Sequence, residues 1–186
     1  MDEATAGGPK ELKRVRDIMI PLELYPWVRL QDTLPEAIEK MEDAQLDVGR
    51  HPSRPRVLLV FDHHDDLVGI VRRRDIMRGL EPDFLVSQPL EDRVNFFNVG
   101  IDGHLTELTG GLTLEEVVKG LKKQSTRPVS DVMKPISTTL KPSDRLMKAV
   151  YEMVSLNESL IAVVDGEEVL GVVRSVDLLH ALAELL

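Results

Sequence analysis

The sequence predicts a mixed α/β (α+β) fold made of two copies of one unit, each running strand, helix, strand, strand, helix. Three observations predict it. A motif, Asp-x-Met-x-Pro, occurs at Asp17–Pro21 and again at Asp131–Pro135, 114 positions apart. Each copy is followed by an apolar stripe at helical spacing. Each stripe is followed by two short apolar runs joined by an acidic turn. The order is the same in both copies, as a structural repeat requires.

Asp32 and Asp144, 112 positions apart, stand where the N-caps of the first helices belong. A carboxylate there accepts from the free amides of the first turn. Leu34, Ala37, Ile38 and Met41 share one face of the first helix, and Leu146, Ala149, Val150 and Met153 share one face of its counterpart. The runs Val57–Asp62 and Leu160–Asp165 read as buried strands. His63–Asp66 and Gly166–Glu168 form hairpin turns into the return strands Leu67–Val71 and Val169–Val173. A six-residue step then leads from Gly69 to Asp75 and from Gly171 to Asp177, each aspartate opening a second helix. By this point the offset has fallen to 102. The difference lies mainly in a Pro- and Arg-rich loop, Val48–Pro55, that has no counterpart in the second copy. A three-stranded sheet this small cannot cover both its faces, so the copies must pack together.

These patterns divide the chain into a flexible tail (1–12), a first repeat (13–80), an insertion (81–127) and a second repeat (128–186). Thr113-Leu114-Glu115-Glu116 is a capping box, which predicts a helix near 113–124. Phe84 to Gly111 carries Phe96, Phe97 and several glycines without periodicity. It is too long for a bare linker and is expected to cover the core or an adjacent cleft.

Composition narrows the function classes. The 186 residues carry a net charge of -9, from 32 acidic against 23 basic side chains. Such a surface repels phosphate backbones and disfavours nucleic-acid binding. There is no cysteine, which excludes disulfides, thiolate metal sites and cysteine nucleophiles. No apolar run approaches the roughly 20 residues of a membrane helix, and the first ten residues lack the basic and apolar regions of a signal peptide. The reading is a soluble, cytoplasmic protein without membrane association.

No phosphate-binding loop, dinucleotide-binding glycine pattern or nucleophile elbow is present. His51, His104 and His180 are scattered, with no nucleophile at motif spacing. No catalytic residue is assigned, and the chain is read as a non-enzyme. Asp62-His63-His64-Asp65-Asp66 has the residue types of a metal site, but it falls at a hairpin turn, where acids are ordinarily solvated. No metal ligand is assigned there. Leu178, Leu179, Leu182, Leu185 and Leu186 form an apolar stripe on the last helix, read as core with part left for self-association.

Taken together, the Asp-x-Met-x-Pro motifs, the capped helices, the paired strands and the Gly-x-x-x-x-x-Asp exits resemble the CBS domain, named after cystathionine beta-synthase. The resemblance covers about residues 13–80 and 128–186. It implies a Bateman module: two repeats packed pseudo-symmetrically, with clefts that take adenosine-containing ligands such as AMP, ADP, ATP or S-adenosylmethionine. It also implies a homodimer, and control of a separate, unidentified partner protein. An adenine nucleotide would be a regulatory ligand, and no cofactor is required.

The family's exit reads Gly, two apolar residues, Thr or Ser, two further residues, then Asp, and the aspartate holds the ribose hydroxyls. Asp75 and Asp177 match the acidic position. The hydroxyl position is Arg72 in one copy and Arg174 in the other, so both copies depart from the pattern. A guanidinium matches phosphate oxygens bidentately, which suits anionic ligands; equally, it suits pairing with Asp75 and Asp177 themselves. Each aspartate also serves as a helix cap, and the two roles are compatible. By resemblance, the base would lie near Ile136, Ser137, Thr138, Thr139 and Ile161 in one cleft. Ile20, Pro21, Leu22, Arg56 and Leu58 would hold the corresponding positions in the other. The second-repeat cleft is preferred, because Ser137–Thr139 supplies hydroxyls and the Pro-rich loop of repeat one would reshape that repeat's own cleft. A CBS scaffold without ligand, serving dimerisation or protein interaction, is the competing reading.

Overall fold

The computed structural model describes residues 13–46, 53–83 and 114–186. The expected tail, most of the Pro-rich loop with His51, the segment with Phe96, Phe97 and His104, and the Thr113 cap lie outside the described residues.

The strands are β1 (Ile20–Pro21), β2 (Trp27–Arg29), β3 (Val57–Phe61), β4 (Leu67–Arg72), β5 (Lys134–Pro135), β6 (Thr139–Leu140), β7 (Leu160–Asp165) and β8 (Glu168–Arg174). The helices are α1 (Leu34–Asp43), α2 (Arg73–Leu80), α3 (Leu114–Ser125), α4 (Leu146–Leu156) and α5 (Ser175–Ala183). They fall into two compact units that interleave along the chain. One gathers the described residues up to Pro26, then Gln45, Leu46 and Ser53, then Ile136–Leu186. The other comprises Trp27–Ala44 and the described part of Arg54–Pro135.

Each unit holds a four-stranded sheet, ordered β1-β8-β7-β6 in one and β2-β3-β4-β5 in the other. In each, a parallel pair (β6 with β7, β2 with β3) adjoins an antiparallel hairpin (β7 with β8, β3 with β4). The fourth strand is the finding that the sequence pattern did not contain. β1, from the first Asp-x-Met-x-Pro motif, pairs with β8 of the second repeat; β5, from the second motif, pairs with β4 of the first. The lead-in segments are exchanged.

Side chains follow the same exchange. Val15 is fully buried among Leu140, Leu146, Ala149, Met153, Ile161, Val163, Val173 and Leu178. Val129 is fully buried among Val28, Leu34, Ala37, Met41, Leu58, Val60, Val71 and Ile76. Each valine also donates its backbone N–H across: Val15 to the Asp144 carbonyl at 2.9 Å, Val129 to the Asp32 carbonyl at 2.8 Å. A fully buried valine contributes about 1.5–3 kcal/mol of transfer free energy, so the lead-in segments are structural parts of the units they enter.

The exit glycines make this pairing possible. A Cβ on Gly171 would meet the Ile20 carbonyl oxygen at 2.1 Å, and a Cβ on Gly69 would meet the Lys134 carbonyl oxygen at 2.8 Å. Only glycine lets the fourth strand approach this closely.

The first helices begin one residue later than the aspartates suggested. The N-caps are Thr33 and Arg145. Thr33 forms a capping box with Glu36, whose carboxylate accepts the Thr33 amide at 2.6 Å. Asp32 and Asp144 instead close the preceding turns, accepting the amides of Arg29 (2.9 Å) and Lys141 (2.8 Å) and the ammonium groups of Lys40 and Lys148.

Candidate functional site

Each return strand passes directly into a helix at an arginine. Arg72 and Arg174 are the N-caps of α2 and α5, both in extended conformation (φ −97°, ψ 155° and φ −100°, ψ 150°). Asp75 and Asp177 are therefore the third helical residues, placed to reach back toward the cap. In the first repeat, Arg72 donates from Nε to Asp75 Oδ2 at 2.6 Å and from Nη2 to Oδ1 at 2.9 Å, and its backbone amide donates to Oδ2 at 3.1 Å. In the second, Arg174 donates from Nε to Asp177 Oδ2 at 2.6 Å and from Nη2 to Oδ1 at 2.7 Å. The planar guanidinium fork matches the carboxylate in both repeats.

These pairs are largely withdrawn from water, with side-chain exposures of 17% and 5% for Arg72 and Asp75, and 11% and 14% for Arg174 and Asp177. Burial pushes the Asp75 carboxyl up, but the Arg72 side-chain and backbone hydrogen bonds outweigh it and hold the group below its ordinary value of 3.8. The Asp177 hydrogen bond raises Arg174 above the usual arginine value.

Two residues not anticipated from the sequence complete the second-repeat site. Ser53 accepts a hydrogen bond from Arg174 Nη1 at 2.8 Å. Tyr25, 3% exposed, lies within Coulombic reach of both Arg174 and Asp177. Burial drives its hydroxyl well above the ordinary tyrosine range; Arg174 opposes that shift and Asp177 adds to it. The described end of the Pro-rich loop thus touches the exit pair of repeat two. Loop and pair stand over 120 residues apart, and no periodicity links them.

The other sequence-predicted residues are regrouped. Pro21 pairs with Gly171 and Ile20 with Val172, so the segment Ile20–Leu22 belongs to the unit of Arg174 and Asp177, whereas Arg56 and Leu58 belong to the other unit. Ile136, Ser137 and Thr138 lie between β5 and β6 in that same unit, and Thr139 pairs with Ala162. Ser137 is exposed, while Ile136, Thr138 and Thr139 are half-buried. Ile161 and Leu58 spend their side chains on the two cores, which leaves only backbone for a ligand. The Arg56 carbonyl accepts the amide of Arg73 at 3.0 Å, which ties it to the start of α2 beside Arg72.

Other features resolve into structural roles. Asp62 accepts the amides of Asp66 and His64, which keeps its carboxyl below the ordinary range, and Asp65 pairs with Arg29 at 2.5 Å. Among the described residues no cluster of three or more His, Asp or Glu could hold a metal ion. The terminal leucine stripe divides: Leu178 is core, whereas Leu179, Leu185 and Leu186 are exposed. That stripe is core on one face only. A groove of about 400 Å³ lies between α1 and α2, with Ile38, Met41, Ile76 and Leu80 on its walls and Arg54 and Arg73 beside them. No described helix is long and apolar enough to cross a membrane.

The model of the CBS domain matches residues 15–82 and 129–184. The chain belongs to the CBS domain family. Solved CBS-pair structures share its fold. CBSX2 from Arabidopsis thaliana aligns over 93% of this chain and 96% of its own, with a TM-score of 0.61 and 19% identity. A CBSX2 structure in complex with AMP aligns over 93% of this chain and 98% of its own, with a TM-score of 0.58 and 18% identity. The CBS domain of a membrane protein from Sphaerobacter thermophilus aligns over 92% and 88%, with a TM-score of 0.59 and 24% identity. No curated protein sequence matches the chain. Both matched segments contain the same closed pair, Arg72–Asp75 in the first and Arg174–Asp177 in the second.

Proposed function

We propose that this CBS pair is a regulatory module, not an enzyme, that senses an adenine nucleotide of the AMP, ADP or ATP type at its exit motifs and signals to a partner protein. The observation that carries the reading is the closed Arg174–Asp177 pair. A carboxylate has about four lone-pair sites, and this one already accepts two guanidinium N–H groups. A ribose offers hydroxyl donors to the carboxylate, and a phosphate offers acceptors to the guanidinium. A nucleotide therefore replaces one satisfied pair with two. A nucleoside would take the carboxylate and leave a guanidinium 11% exposed without its partner, which is costly. The AMP complex of a structural neighbour supports the same ligand class.

Homodimerisation is part of the proposal. Met147, Tyr151 and Val154 line one exposed face of α4, and Val176 and Leu179 are exposed on α5. Exposed apolar side chains at helical spacing are what an association surface between copies would use.

A second reading, a ligand-free scaffold, has a specific observation in its favour: both exit carboxylates are already paired, and among the described residues no buried side-chain polar atom lacks a partner. Thermal unfolding against AMP, ADP, ATP, adenosine and S-adenosylmethionine separates the two. A nucleotide at 100 times its Kd adds about 2.7 kcal/mol, or roughly 5–10 °C for a chain of this size. Adenosine should shift the transition less, and Asp177→Ala should lose the nucleotide shift. A flat response across the panel would leave the scaffold reading standing.

A further inference from the structure

We propose that Ser53 is a positioning residue for Arg174, and that its hydroxyl thereby tunes the anion affinity of the second repeat's exit site. The tuning rests on the nucleotide reading above; the positioning does not.

The geometry points to Ser53 as a built partner. Leu46 and Ser53 exchange backbone hydrogen bonds in both directions, Leu46 N–H to the Ser53 carbonyl at 2.8 Å and Ser53 N–H to the Leu46 carbonyl at 3.0 Å. The Leu46 side chain, 2% exposed, anchors that bridge. Ser53 is thus held by its backbone before its hydroxyl meets Arg174. The guanidinium then has all three nitrogens engaged: Nε and Nη2 on Asp177, Nη1 on Ser53. A neutral hydroxyl is a weaker acceptor for a guanidinium than a phosphate oxygen. Ser53 therefore satisfies Nη1 while no anion is present and competes for it when one arrives. Removing the hydroxyl should free that donor and strengthen phosphate binding. Adenosine, which has no phosphate, should not respond.

The test has two arms. In ligand-free protein, the 15Nη resonances of Arg174, assigned by comparison with Arg174→Lys, report rotation about Cζ–Nη. Ser53→Ala should speed that rotation severalfold, and Ser53→Thr, which keeps a hydroxyl, should restore the wild-type rate. Ser53→Gly serves as a second deletion if alanine disturbs the Leu46 bridge. Equal rates in wild-type, alanine and glycine variants would overturn the positioning role. In the second arm, calorimetry should give AMP about fivefold tighter binding to Ser53→Ala, the value of one modest hydrogen bond, with adenosine unchanged. AMP binding equally to wild type and Ser53→Ala would overturn the tuning. AMP binding to neither would overturn the nucleotide reading, while the resonances would still decide the role of Ser53.

Discussion

A methyl group on Gly171 would stand 2.1 Å from the carbonyl oxygen of Ile20, a residue 151 positions earlier in the chain. Neither atom can yield, because both belong to paired backbone in β8 and β1. Gly171→Ala is therefore expected to cost about 3 kcal/mol or more by displacing β1. Gly166, with φ +63° and nothing within 4 Å of an added Cβ, is the control. Its alanine variant should cost only about 1 kcal/mol of backbone strain. Urea titration of the two variants checks the ordering.

Val15→Ala and Val129→Ala should each cost about 2 kcal/mol, and in the repeat that does not contain the mutation. Hydrogen exchange reads this directly. Val15→Ala should accelerate exchange in β7 and β8, and Val129→Ala in β3 and β4. Faster exchange confined to the mutated residue's own repeat would contradict the exchanged cores.

The Arg72–Asp75 pair should behave as a unit. Arg72→Ala leaves a carboxylate 5% exposed without its main partner, at an expected cost of about 2–4 kcal/mol. The double variant Arg72→Ala/Asp75→Ala removes the stranded charge and should be more stable than Arg72→Ala alone. A double-mutant cycle with additive costs would mean that the two side chains are uncoupled.

Asp75 also sets a pH dependence. Its folded pKa lies below 3.8, so its stabilisation is fully present above that value and is lost as pH falls through the lower folded value. Asp75→Asn lacks this titration. Unfolding free energies of wild type and Asp75→Asn should differ by a constant amount at neutral pH and converge in acid below about pH 4.

Much of this was legible in the sequence, and the particular residues show why. The apolar runs 57–61 and 160–165 are long enough to declare themselves as strands, and the stripes from Leu34 and Leu146 carry a helical period. β1 and β5 have two residues each, too few for any period, so their pairing with β8 and β4 could be found only in three dimensions. The aspartates at 32 and 144 carry the chemistry of caps; one residue of register decided that they close turns instead. At the exits, the sequence named both Arg72–Asp75 and Arg174–Asp177 and left open whether each arginine faces an anion or its own aspartate. Geometry closes both pairs. Ser53 is invisible because nothing local ties it to Arg174, and the grouping of Pro21 with Arg56 rests on the family resemblance alone, whereas the backbone of Pro21 pairs with Gly171.

The exchange of β1 bears on what happens when the chain is cut. A fragment beginning at residue 128 would retain β6, β7 and β8 but present β8 as a bare edge over the space that Val15 fills. Such edges recruit other strands, so the fragment should self-associate when expressed alone. A synthetic peptide of residues 13–26, added in trans, should dock on that edge and return the fragment to a monodisperse form.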